Sequence, residues 1–245
     1  MNALQIAAIG WQSDQERIRV ISHNVANIAT PGFKREIPVS GDFQATLGEA
    51  NGALPQGALG MQTGAVALDF AQGALAHTGT NLDLAVEGDA FLELASTSGK
   101  LVTRGGHFKL DSDGRLLTQD GLAVLGAQGE IVLPPQASSV SIDSSGAIFV
   151  NGEKYDELKL LRFENVADLR PAEGGHYQAD AAKEDTSPSS TGSTVRAGYL
   201  ESSNVSSVQQ MVELMQTSRH LETMQRAIQA YDEVLATSLR KFGDQ

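Results

Sequence analysis

The chain has 245 residues, enough for one or two domains, and its 18 Lys and Arg against 30 Asp and Glu give a formal net charge of −12. That balance excludes a protein built chiefly to grip nucleic-acid phosphates, which needs a basic face. Cysteine is absent, which excludes disulfide scaffolds, Cys-based zinc sites, iron–sulfur clusters and thiol nucleophiles. The charge is also uneven. Residues 1–36 hold four basic and three acidic groups and residues 201–245 hold four and six, so the middle carries −11. Near-neutral ends around an acidic middle fit ends that associate and a middle that stays solvated.

The first segment reads as a helix over residues 3–28. Leu4, Trp11, Ile18 and Val25 lie seven apart, and Ala7, Ile21 and Ile28 fill the interleaved positions, with Asp14 the one polar residue. That is an a/d seam. Thr30-Pro31-Gly32-Phe33 stops it: Pro31 biases Thr30 out of the helical region, and Gly32 accepts backbone angles that other residues find costly. Changing Pro31 and Gly32 together to Ala is expected to extend the helix at small cost to stability. No Sec-type leader is visible, since Gln12, Asp14, Gln15, Glu16 and Arg17 interrupt residues 1–20, and no apolar run approaches the roughly 20 residues that span a bilayer.

Residues 32–69 read as an extended connector. Within them, 40–65 are poor in charge, contain six Gly and lack either periodicity, and a disordered linker is the alternative reading. Turn pairs then recur: Gly88-Asp89, Asp113-Gly114, Asp120-Gly121, Ser145-Gly146 and Asn151-Gly152. Short runs such as Leu82/Leu84/Val86, Phe91–Leu94, Ile131–Leu133 and Leu158–Leu161 lie between them. Such spacing predicts an antiparallel all-β domain, with strands over 66–178 and domain limits of 70–197. A fragment of residues 70–178 is expected to fold by itself. A Ser/Thr/Gly/Asp-rich segment at 179–196 reads as a flexible end to that domain.

Residues 198–245 carry the second helix, predicted over 206–242. Leu214, Leu221, Ile228, Leu235 and Phe242 are spaced by seven, and Met224 and Tyr231 interleave. Val208, Met211, Val212 and Met215 widen the apolar face at its start. Ser206 and Ser207 precede Gln209 and Gln210 by three, a capping-box pattern. At about 55 Å such a helix is too long for a small domain to cover, and it calls for partner helices. The predicted fold is therefore α+β: N- and C-terminal helices (1–31 and 198–245) forming a coiled-coil-like inner layer, with an antiparallel β-domain inserted between them.

Catalytic chemistry is not legible. His23, His77, His107, His176 and His220 form no H-E-x-x-H pair, and no G-x-S-x-G elbow, P-loop or dinucleotide fingerprint occurs. His107 and His176 each follow Gly-Gly and read as turn residues rather than ligands of a shared metal. Asp111-Ser112-Asp113-Gly114 imitates a calcium loop, but Leu122 stands where the closing Glu belongs, so it reads as a hairpin tip. No cofactor, metal or small-molecule substrate is expected.

Four segments carry a family resemblance. Asn24-Val25-Ala26-Asn27-Ile28-Ala29-Thr30-Pro31-Gly32-Phe33-Lys34 resembles the N-terminal motif of the bacterial flagellar axial proteins: rod, hook and hook-associated subunits. Gln72-Gly73-Ala74-Leu75 with Thr78-Gly79 and Leu82–Phe91 resembles the entry to the β-domain of the rod and hook proteins, and Thr103–Phe108 with Asp113-Gly114 and Leu116 resembles the family hairpin that follows. Gly198–Val205 with Met211, Met215, Arg219 and Glu222 resembles their C-terminal motif. Ala90, Leu221 and His107 depart from the common residues. The resemblance covers nearly the whole chain, and residues 224–233 look closer to a proximal, F-type rod protein than to a distal, G-type one.

The resemblance implies a structural subunit and no enzyme. Its terminal helices would self-assemble into the flagellar rod, transmit torque and enclose the export channel. Its partners would be copies of itself, other rod proteins and the flagellar type III export apparatus, with no nucleic acid and no direct membrane insertion. The location implied is the basal body, in the periplasm, after export without a cleaved signal peptide. The assembly surface expected on the helices comprises the seam residues above together with Asn24 and Asn27. Two alternatives remain at this point: a distal-rod or hook-type axial protein, and a β-domain enzyme with helical oligomerisation arms, which lacks any convergent acid, base and nucleophile.

Overall fold

A computed structural model describes residues 3–39, 66–96, 99–134, 139–180, 182–185 and 192–243, and the side chains of 3–9, 232 and 235–243 lie outside that description. The proposed connector stretch at 40–65 is likewise outside it. The described chain divides into two compact units. One comprises the segments up to Ala26, from Glu36 to Ala67 and from Ser206 onward; the other comprises Asn27–Arg35 and Leu68–Val205.

The helical unit contains α1, Ala3–Ala26, and α2, Ser207–Gly243. Helix α1 stops two residues earlier than its apolar pattern predicts. Residues 27–32 form turns instead, with Thr30 N–H donating to Asn27 O at 3.1 Å. At the start of α2 the Ser206 hydroxyl accepts from Gln209 N–H, a donor that the first turn leaves open, and the Ser206 carbonyl accepts the first intrahelical bond, from Gln210 N–H. Among the described residues no helix is long and apolar enough to cross a membrane.

The β unit is built from short strands, and every register determined in it is antiparallel. Its largest sheet runs in the order Leu160–Leu161, Phe91–Leu94, Leu101–Thr103, His176–Gln178, Arg170–Pro171. A second sheet joins Val140–Ile142, Ala147–Val150 and Glu153–Glu157. Two hairpin tips repeat one device. Asp111 Oδ1 accepts from the backbone N–H of Asp113 and Arg115, and Asp143 Oδ1 accepts from those of Ser145 and Ala147. The calcium-loop look-alike is thus a side-chain-tied turn, closed at Gly114 with φ +81°.

The segment expected to be a flexible end contributes structure. Thr194–Ala197 pairs with Leu84–Glu87, and just beyond it Tyr199–Glu201, which the sequence assigned to the helical arm, forms a strand with Leu75–His77. Composition concealed this, because Thr194-Val195-Arg196-Ala197 follows directly on a Ser/Thr/Gly run. Val195 lies in the main core with Leu84, Val86, Leu92, Leu94, Phe108 and Ile148. A smaller core gathers Phe91, Val102, Leu161, Phe163, Leu169 and Tyr177, whose rings meet edge to face.

Candidate functional site: the helical pair and a buried ion cluster

In the helical unit α1 and α2 pack along each other with one continuous register. Asn24 Nδ2 donates to Gln210 Oε1 at 3.2 Å, Asp14 pairs with His220, and a Cβ on Gly10 would stand 3.0 Å from Met224 Cε. Each step back along α1 is matched by an equal step forward along α2, so the helices are antiparallel. Asn24 is the polar anchor. Its amide donates to Glu36 O and its carbonyl accepts from Glu36 N–H, both at 2.8 Å. A side chain satisfied on both ends can be buried without the usual penalty.

Only part of each predicted seam is covered by this pairing. Ile21 and Asn24 are buried; Ile18 and, on α2, Leu221, Met224 and Ile228 are half-buried. Trp11 and Val25, which share a row of the α1 seam with Ile18, stand 41% and 38% exposed. On α2, Val208, Met211, Val212 and Met215 repeat at steps of three and one and are 71%, 58%, 42% and 55% exposed, with Leu214 and Tyr231 also exposed. Side chains of Leu4, Leu235 and Phe242 lie outside the described residues. Apolar periodicity placed Asp14 on the α1 seam but missed Gln210 and Thr217 on α2, and all three are buried. The signal was present as polar residues interrupting each stripe.

In the β unit the two terminal motifs meet. Asn27 and Ile28 are half-buried, and the Thr30 hydroxyl is 3.1 Å from Asn27 Oδ1. Gly32 has φ +72°, its N–H donates to Glu201 O at 2.7 Å, and a Cβ there would fall 2.4 Å from Gly105 N. The turn is therefore wedged against backbone, which overturns the expectation that changing Pro31 and Gly32 together to Ala costs little. Phe33 is buried and Pro31 half-buried.

Beyond the turn, Lys34 Nζ donates to Glu201 Oε1 at 2.6 Å and to Ala71 O at 2.9 Å. Glu201 Oε1 also accepts from Gly73 N–H at 2.8 Å, and Arg104 Nη1 lies 3.7 Å from Glu201 Oε2. The three side chains are 2% exposed or less. Arg104 sits over the Phe91 ring, 4.8 Å from its centroid. Burial pushes the Lys34 ammonium below its ordinary range, and Glu201 opposes that shift. Asn204 completes the joint, accepting from Arg35 N–H and donating to Asp69 O and Ala71 O.

His107 Nδ1 is 2.6 Å from Asp83 Oδ1, while His176 begins a strand rather than a turn and is buried with neither ring nitrogen hydrogen-bonded. Among the described residues no cluster of three or more His, Asp or Glu is placed to hold a metal ion.

These are the features of a structural assembly subunit: paired terminal helices with an apolar face turned outward, and buried polar groups spent on tying chain segments together. Residues 85–150 match the model of the flagellar hook protein FlgE/F/G D1 domain, and residues 196–241 match that of the flagellar basal body rod FlgEFG protein C-terminal region. The flagellar basal-body rod protein FlgG of Agrobacterium fabrum is 32% identical, with 96% of this chain and 97% of the relative aligned. FlgG of Bacillus subtilis is 29% identical over 96% and 97%, and the rod protein FlgF of Caulobacter vibrioides 26% over 99% and 98%. The chain belongs to the flagellar basal-body rod protein family, as a structural component of the flagellum. The expected preference for the F type over the G type is not resolved, because relatives of both types align along nearly the whole chain.

Proposed function

We propose that this chain self-assembles through its terminal helices into the axial drive shaft of the flagellum, transmitting torque and enclosing the channel for later subunits. The observation that carries this reading is the outward face of α2. Val208, Met211, Val212 and Met215 form a stripe that a solitary chain leaves in water. Continuing the α1–α2 register places Ala3 level with Tyr231, so residues 232–243 of α2 run on for about 18 Å beyond α1. Leu235 and Phe242 belong to that extension, and with Leu4, Trp11 and Val25 they complete the proposed assembly surface.

The partners are copies of this chain, neighbouring rod proteins and, during delivery to the periplasm, the type III export apparatus. For domains, we propose helical arms within 1–31 and 198–245 and a β-domain within 70–197, joined by the connector at 32–69, with residues 27–35 and 198–205 packing as part of the β unit. Residues 224–233 favour the proximal, F-type position. The higher identity to FlgG relatives favours the distal one as a second reading. Met211→Glu with Met215→Glu tests the assembly reading. Both positions are exposed, so the isolated chain keeps its thermal midpoint, while rods and motility are lost. Normal swimming by that variant overturns the reading. Cross-linking from Met215 in isolated basal bodies identifies the neighbouring rod protein and decides the position.

A further inference from the structure

Lys34 and Arg104 are two buried cations that share one anion. Among the described residues Glu201 is the one carboxylate within ion-pair distance of either. Its Oε2 and the Arg104 Nε and Nη1 have no hydrogen-bond partner, so the Arg104 side of the cluster is held by charge more than by hydrogen bonds. Without Glu201 the joint would hold an ammonium and a guanidinium facing each other in a desolvated site, which is strongly unfavourable. The carboxylate arrives on a segment that also supplies strands. Thr194–Ala197 is the ladder partner of Leu84–Glu87, whose Leu84, Ala85 and Val86 are essentially inaccessible to solvent, and Tyr199–Glu201 is the partner of Leu75–His77. Both cations precede residue 201 in the chain.

We propose that Lys34, Arg104 and Glu201 form an electrostatic latch that makes closure of the β unit conditional on the segment 194–204. Until Glu201 is in place, repulsion between the two cations keeps the joint hydrated and the Leu84–Glu87 edge unpaired. A chain emerging N-terminus first therefore completes its β unit only when the residues directly before α2 have emerged. The inference concerns folding of the single chain and does not depend on the position proposed within the rod.

Hydrogen exchange on the full-length protein tests it. In Glu201→Met, the amides of 84–87 and 194–197 should exchange at least about tenfold faster than in the wild type, while those of 147–157 change by less than about twofold. Adding Lys34→Met and Arg104→Met removes the repulsion and should return exchange to within about threefold of the wild type. Wild-type exchange in Glu201→Met overturns the latch. So does a triple variant no better protected than the single one, since that would make the loss one of packing. If Glu201→Met does not fold at all, a folded triple variant supports the proposal and an unfolded one overturns it.

Discussion

At Gly106 the backbone itself is the packing surface. A Cβ there would fall 1.5 Å from Leu84 O, which accepts no displacement without breaking the strand that holds it. Gly106→Ala is expected to cost roughly 3 kcal/mol or more, or to prevent folding, by urea titration of the full chain. A residue of the opposite kind is His176. It is buried; desolvation pushes its pKa below the ordinary imidazole range, and Asp120, with Oδ2 3.3 Å from Nε2, opposes only part of that. On acidification the unfolded chain takes up this proton before the folded one does. Stability from His176 is therefore fully present above the ordinary imidazole pKa and declines as pH falls below it. His176→Phe should lessen that decline when urea midpoints on either side of the ordinary imidazole pKa are compared with the wild type. An unchanged pH slope would mean the ring gains a proton in the fold as easily as in water.

Between the two helices, polar anchors set the register and apolar residues fill around them. Asn24 makes three hydrogen bonds, two of them to the backbone of Glu36. Asn24→Ala should leave those backbone groups unsatisfied and cost about 2–3 kcal/mol. The expected readout is an earlier loss of helical circular dichroism on heating. Met215→Ala, at an exposed position of α2, should leave the same curve within about 0.5 kcal/mol. Equal losses from the two substitutions would show that helix pairing is not anchored at Asn24. Terminal helices that cover each other in one chain also need less from neighbouring copies than two lone amphipathic helices would.

For the molecule as a whole, the strand Thr194–Ala197 decides what folds alone. A fragment of residues 70–178 omits that strand, Val195 of the main core and Glu201 of the ion cluster, so Leu84–Val86 would be stripped of their ladder partner. The expectation that this fragment is autonomous gives way to another. A fragment of residues 27–205 should unfold in a single cooperative transition, and 70–178 should show none, by urea titration followed through amide exchange or fluorescence-detected dye binding. A cooperative transition in 70–178 would show that the strand and the cluster are dispensable to the core.

Residue type and spacing alone determined the two helices, the turn at Pro31 and Gly32 beyond the first of them, the antiparallel β middle and the family, though not the end of α1 at Ala26. Those features rest on local periodicity and turn chemistry, which nearby residues set. Spacing also selected the apolar rows of both helices, but it could not say which row faces the partner helix within the chain. Ile21 turns inward and Trp11 outward because Asn24 finds Gln210 and Glu36, residues distant in sequence. Likewise Lys34, Arg104 and Glu201 give no local sign of belonging together. Their meeting follows from strands that pair across more than a hundred residues, and burying two cations around one carboxylate is possible only where that tertiary pairing brings the charges into contact.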